Sequence, residues 1–252
     1  MTLWESIAVL VAGVGAGMIN VIVGSGTLIT FPVLLAVGIP PVTANVSNSF
    51  GLVPGSLSGV IGYRRELSGQ GRRVLRMGSA SLLGGLVGAL LLIKLPNGAF
   101  DAIVPVLILL ALVLVMIQPR VAKAVAARRR PGRDPDGSPV LLVGVFLTGI
   151  YGGYFGAAQG VLLMALMGML LQEDLQRINA VKNALAMIVN GVAALFFLFT
   201  STVNWAAAGL IAAGSLVGGL VGAKVGRRLP PTALRVVIVV VGLAAVTKLV
   251  VN

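Results

Sequence analysis

Two kinds of polar cluster interrupt the apolar stretches of this 252-residue chain, and their residue types suit the binding of an anion. The first kind is a glycine-rich break. Asn20 is followed by Gly24-Ser25-Gly26-Thr27, and the second half holds Tyr151-Gly152-Gly153-Tyr154-Phe155-Gly156-Ala157-Ala158-Gln159-Gly160. Glycine permits a turn with free backbone N–H groups, and such nests and helix N-termini attract negative charge. The second kind is an amide-rich helix face. Asn45-Val46-Ser47-Asn48-Ser49 pairs with Asn179-Ala180-Val181-Lys182-Asn183, and spacings of three or four residues put the amides on one side of a helix. Lys182 precedes an uncharged run of 41 residues, 183–223, and is the best-placed cation for neutralising an anion inside the protein. The competing reading lets it snorkel to the membrane interface.

The candidate substrate-binding residues are therefore Asn20, Gly24, Ser25, Gly26, Thr27, Asn45, Ser47, Asn48, Tyr151, Gly156, Gln159, Gly160, Asn179, Lys182 and Asn183. Other chemistry has little material. The chain has no Cys and no His, and only 7 Asp and Glu, which argues against thiolate, metal or paired-carboxylate catalysis. No enzyme activity, cofactor or metal is expected.

The elements that must position these residues lie in a membrane. Hydrophobic residues make up 58% of the sequence and charged residues 10%, whereas about a quarter of a soluble domain is charged. Residues 6–63, 77–93, 102–119, 137–172, 183–223 and 236–247 contain no charged side chain. A spanning helix needs roughly 20 apolar residues, so these runs hold about 8 to 10 membrane segments. The expected segments are 5–23, 27–39, 42–63, 78–95, 100–118, 140–156, 160–171, 178–199, 204–223 and 233–250. Two of them, 27–39 and 160–171, are too short to cross, which predicts broken or re-entrant helices shielded by protein. Met1–Glu5 lacks the basic start of a signal peptide, so the first segment is read as mature protein.

The chain also repeats itself. Ser81–Ala89 (SLLGGLVGA) and Ser215–Ala223 (SLVGGLVGA) agree at eight of nine positions at an offset of 134, and Leu95-Pro96 recurs as Leu229-Pro230. These small-residue segments read as helix packing faces. Equivalent loops carry opposite charge character. Loop 64–76 holds five arginines while its partner near 200–204 holds none; loop 94–101 holds only Lys94 and Asp101, while its partner holds Lys224, Arg227, Arg228 and Arg235. Under the positive-inside rule the two halves then lie upside down relative to each other. The predicted fold is an all-α polytopic membrane protein of two inverted-topology repeats, 1–119 and 140–252, joined by a basic cytoplasmic linker at 120–139. With the basic loops inside, 17 of 19 basic residues face the cytoplasm and both termini face outward. The excess of +12 charges is thus a topological label beside anionic lipid headgroups, and no nucleic-acid partner is expected.

Asn20–Ser49 (NVIVGSGTLITFPVLLAVGIPPVTANVSNS) resembles the first repeat of the TauE/SafE sulfite exporter family, and Gly149–Met169 with the following NAVKN resembles its second. Gly-Ser-Gly-Thr stands where the family more often has three or four glycines. The resemblance implies a secondary transporter, an exporter of sulfite, sulfonates or related small organic anions, in the cell inner membrane. An anion channel and a non-transporting scaffold remain the alternatives. Expected partners are a small anionic substrate and membrane lipids, and the small-residue faces leave a homodimer open.

Overall fold

Thr2 and Glu5 start the first helix reciprocally, each side chain bonding the other's backbone N–H, at 3.3 and 2.7 Å. In this computed structural model, residues 1–95, 98–127, 138–225, 239, 240 and 243 are described. Helix α1 is Leu3–Ile22, α2 Thr27–Ala36, α3 Pro41–Gly62, α4 Arg64–Leu67 and α5 Gly71–Lys94. There follow α6 Ala99–Ala127, α7 Pro139–Tyr154, α8 Gln159–Leu170, α9 Leu175–Thr200 and α10 Trp205–Val225. The protein is an all-helical, multi-pass membrane protein, with no strand among the described residues. Five helices have the length and apolar character to cross a bilayer: α1, α5, α9, α10 and residues 102–120 of α6. With 22 residues α3 is long enough, but it carries Asn45, Ser47, Asn48, Ser49, Ser56 and Ser58.

Two regions differ from expectation. Residues 64–76 are not a loop, because α4 and the first turns of α5 take them up. Arginine is a good helix former, so the end of an uncharged run does not mark the end of a helix. For the same reason α6 continues to Ala127, into the expected linker. Residues 128–137 of the linker, Leu229-Pro230, Arg227, Arg228, Arg235 and most of the segment 233–250 lie outside the described residues.

The repeated small-residue helices decide the packing, because each lies on the other half of the chain. A Cβ built on Gly17 of α1 would lie 2.2 Å from the Ser215 carbonyl oxygen of α10, and one on Gly218 would lie 1.9 Å from that of Val14. Gly51 and Gly55 of α3 meet Ile211 and Ser215 of the same helix. In mirror fashion, Gly84 and Gly88 of α5 abut Phe146 and Ile150 of α7, and Gly85 abuts Val189 and Val192 of α9. Rising residue numbers match in every pair, so the paired helices run parallel. Two bundles result, α1–α3–α10 and α5–α7–α9. Their mutual contact is made chiefly by α3 against α9.

Basic side chains gather at one end of the assembly. Arg64, Arg65 and Lys224 line one cavity, and the α4–α5 segment bonds to the α8–α9 turn beside it. The opposite end collects the uncharged turns, where Pro40–Thr43, Leu92, Ile93, Leu95 and Thr200–Thr202 line a cavity of about 390 Å³. Both α1 and α3 start at this second end, so α1–α2 forms a hairpin that enters and returns to it. At the basic end α7–α8 does the same. The two short apolar segments are the returning arms of these hairpins.

Glu173 fastens the basic end. Its carboxylate accepts from Arg73 at 2.8 Å and from Arg177 at 2.9 Å, while Gln70 Nε2 donates to the Arg177 carbonyl at 3.2 Å. Burial alone pushes the Glu173 carboxyl up, but the hydrogen bonds from Arg73 and the Asp174 N–H and the charges of Arg177 and Arg73 outweigh it and hold it below the ordinary carboxylate range. A depressed carboxyl contributes stability above its unfolded pKa, about 4.3, and loses it as pH falls through the folded value. Glu173→Gln should therefore lower the melting temperature in detergent by a constant amount at neutral pH, and that difference should shrink once the pH drops below about 4. A gap that persists unchanged into that acid range would show that the ion pairs do not carry it.

Candidate functional site

The site is built where the tips of the two hairpins cross. Gly24 (φ 89°) and Gly156 (φ 76°) turn the chain in the left-handed region, as does Ala158 (φ 60°), a conformation that costs a residue with a Cβ about 1–2 kcal/mol. These turns aim the N-termini of α2 and α8 at each other. The Gly160 N–H donates to the Gly24 carbonyl at 3.0 Å, and a Cβ on either glycine would come within 2.4 Å of the other's Cα. Thr27 lies beside Gly156 at the same crossing. Two positive helix-dipole ends thus converge on one buried point.

Each hairpin is held open by amides from the other half. Asn179 and Asn183 donate to the Val21 carbonyl at the end of α1, at 3.3 and 3.4 Å. Asn45 donates at 2.9 Å to the Tyr154 carbonyl at the end of α7. Those carbonyls are ones that a broken helix leaves without an internal partner. Lys182 joins both tips. Its stem passes alongside Gly160, and its Nζ donates to the carbonyls of Asn20 at 2.9 Å and Val21 at 3.0 Å. It is 0% exposed, which excludes the snorkelling reading. No carboxylate pairs with it among the described residues. Two of the three donors of an ammonium are thereby occupied.

Several buried polar atoms around the crossing have no hydrogen-bond partner: Ser25 Oγ, Gln159 Nε2, Asn45 Oδ1 and Asn179 Oδ1. Buried polar groups are normally satisfied, so these four atoms are hydrogen-bonding capacity that the protein leaves unused around the crossing. Other candidates serve the frame. Asn20 Nδ2 donates to Ser56 Oγ at 3.2 Å, and Asn48 donates to Thr27 Oγ1 at 3.1 Å. Tyr151 spans the second break by donating to the Ala157 carbonyl. Gly26 packs against the backbone of Ala16. Ser47 stands apart, since its Oγ accepts from the Asn204 N–H at 2.9 Å at the uncharged end.

Sequence reading passed over Ser56 and Thr30, although Thr30 lies one turn beyond Thr27 and donates to Asn48 Oδ1. It also passed over an aromatic cluster formed by residues of α2, α6 and the end of α7. Phe31 meets Phe155 edge-on at 5.2 Å, and Phe100 meets Tyr154 at 5.7 Å and Phe155 at 6.2 Å. Phe31, Phe100 and Phe155 are all buried, so these rings pack into the protein interior.

The sequence profile of the family described as "Sulfite exporter TauE/SafE" matches residues 9–249. A protein of Escherichia coli K12 named "Probable membrane transporter protein YfcA" is 28% identical over 215 residues, covering 85% of this chain and 76% of its own. A "Probable membrane transporter protein" of Haemophilus influenzae is 26% identical over 241 residues, covering 94% and 91%. One of a Sinorhizobium species, "Probable membrane transporter protein ORF9", is 28% identical over 239 residues, covering 95% and 90%. A match that runs through both broken hairpins and the helices that hold them means that the chain belongs to the TauE/SafE sulfite exporter family of membrane transporters.

Proposed function

We propose that the protein is a secondary transporter that exports a small sulfur-containing or organic anion, such as sulfite or a sulfonate, across the inner membrane. The observation that carries this reading is the buried crossing, where two helix N-termini meet, Lys182 Nζ has no carboxylate partner among the described residues, and Ser25 Oγ and Gln159 Nε2, on the residues next to Gly24 and Gly160, have no hydrogen-bond partner. An uncompensated cation in a membrane is costly, and an arriving anion would neutralise it. The remaining candidates other than Ser47, namely Asn20, Gly24, Gly26, Thr27, Asn45, Asn48, Tyr151, Gly156, Gly160, Asn179 and Asn183, shape or cap the breaks around that anion. Export follows the membrane potential, since a negative interior expels an anion with about 2.3 kcal/mol per charge per 100 mV.

Alternating access around a midplane site fits two halves of opposite orientation, and the basic loops would be cytoplasmic. The N-terminus then faces outward, from the end opposite Arg64 and Lys224. The mirror pairing of α1 with α10 and of α7 with α5 supports this arrangement. The rocking bodies are not the sequence halves 1–119 and 140–252, because these exchange α5 and α10. They are the two mixed bundles, which meet along α3 and α9, the helices that carry the amides. Backbone contact between Gly24 and Gly160 closes the crossing and favours a carrier over an open channel.

The test is flux. Purified protein in liposomes, given an outward anion gradient and an inside-negative potential, should release labelled sulfite or a short sulfonate at several times the rate of empty vesicles, and the rate should saturate. No flux for sulfite, sulfonates, thiosulfate or carboxylates, with or without a pH gradient, would sink the carrier reading in favour of a scaffold. Linear, unsaturable flux would favour a channel.

A further inference from the structure

We propose that the groove between α3 and α10 at the basic end is a binding site for the headgroup of an anionic phospholipid. Its cavity measures about 560 Å³ and is lined by Ile61, Gly62, Arg64, Arg65, Ala223 and Lys224, with Leu220 at its side. Three cations and no carboxylate face it among the described residues. Among the described residues neither arginine nor Lys224 takes part in an ion pair there.

The floor of the groove is backbone and methyl. Gly62 lies so close to Ala223 that a Cβ on it would meet the Ala223 methyl at 2.2 Å. A headgroup can therefore settle between the helices without a side chain in its way. The walls decide between a lipid and a free small anion. Ile61 is 47% exposed and Leu220 43%, and the exposed apolar surface continues along Leu57 of α3 and along Leu216 and Val217 of α10. An acyl chain needs such a surface directly beside its phosphate, and an inorganic anion does not. Basic pockets between membrane helices on the cytoplasmic side bind anionic headgroups by this combination of charge and apolar wall.

Native mass spectrometry of the full chain in detergent tests the site with phosphatidylglycerol, phosphatidylcholine and inorganic sulfate as probes. The wild-type protein should retain phosphatidylglycerol at concentrations roughly tenfold lower than phosphatidylcholine. Arg64→Gln/Arg65→Gln/Lys224→Gln should lose that preference, and Lys224→Gln alone should lose part of it. Arg72→Gln/Arg76→Gln/Arg120→Gln removes as many exposed charges from outside the groove and should keep it. Equal loss in both triple variants would overturn the proposal by reducing the preference to net charge. Displacement of phosphatidylglycerol by millimolar sulfate would overturn it in favour of a small-anion vestibule.

Discussion

Gly24→Ala is expected to destabilise the protein in detergent by about 3 kcal/mol or more, from two additive causes. The left-handed backbone at φ 89° costs a residue with a Cβ about 1–2 kcal/mol. Forcing a methyl into a filled interior adds about 1–3 kcal/mol, and here the methyl would sit 2.4 Å from the Gly160 Cα. Gly38 provides the control, because it has a similar φ of 81° and open space around it. Gly38→Ala should show the backbone cost alone. Denaturant or thermal melts of the two variants measure the difference, which is the contribution of the crossing itself. Equal losses would mean that the hairpin tips do not press together in the folded protein.

Lys182→Met keeps the apolar stem and removes the charge. It is expected to weaken anion binding at least tenfold, about 1.4 kcal/mol, and to abolish stabilisation of the protein by sulfite in a melting assay. The fold should survive. Removing a buried cation that has no carboxylate partner also removes its desolvation cost, and the Val21 carbonyl keeps Asn179 and Asn183 as donors, so the lost hydrogen bond falls on the Asn20 carbonyl alone. Lys182→Arg should rescue poorly, because the stem runs so close to Gly160 that a Cβ there would already lie 2.9 Å from Lys182 Cδ. A forked guanidinium has no room to turn. Unchanged sulfite affinity in Lys182→Met, with the protein still folded, would leave Lys182 as a cap on α1 and nothing more.

Those two residues also mark how far the sequence could be read. The breaks at 24–27 and 156–160 were legible because glycine beside polar residues within an apolar run has a local cause. So were the short return arms, since length is a property of one segment. The partner of a buried group is not local. Lys182 could be singled out for its charge, but its bonds to the Asn20 and Val21 carbonyls depend on where α1 stops. The SLLGGLVGA and SLVGGLVGA segments announced close packing without saying against what, and both proved to lie on the opposite half. Ser47 shows the reverse error. It sits in the amide cluster by sequence, but its place on α3 points it at Asn204 and away from the crossing.

The exchange of α5 and α10 bears on how the molecule is made. Synthesis proceeds from the N-terminus, so α1 and α3 enter the membrane more than a hundred residues before the helix that covers them exists. Until Trp205–Val225 arrives, the glycine-lined grooves at Gly13, Gly17, Gly51 and Gly55 face lipid or one another. Assembly of the first half therefore waits on nearly the last part of the chain, and a ribosome that stops before α10 leaves a product with its own α1 and α3 unclosed.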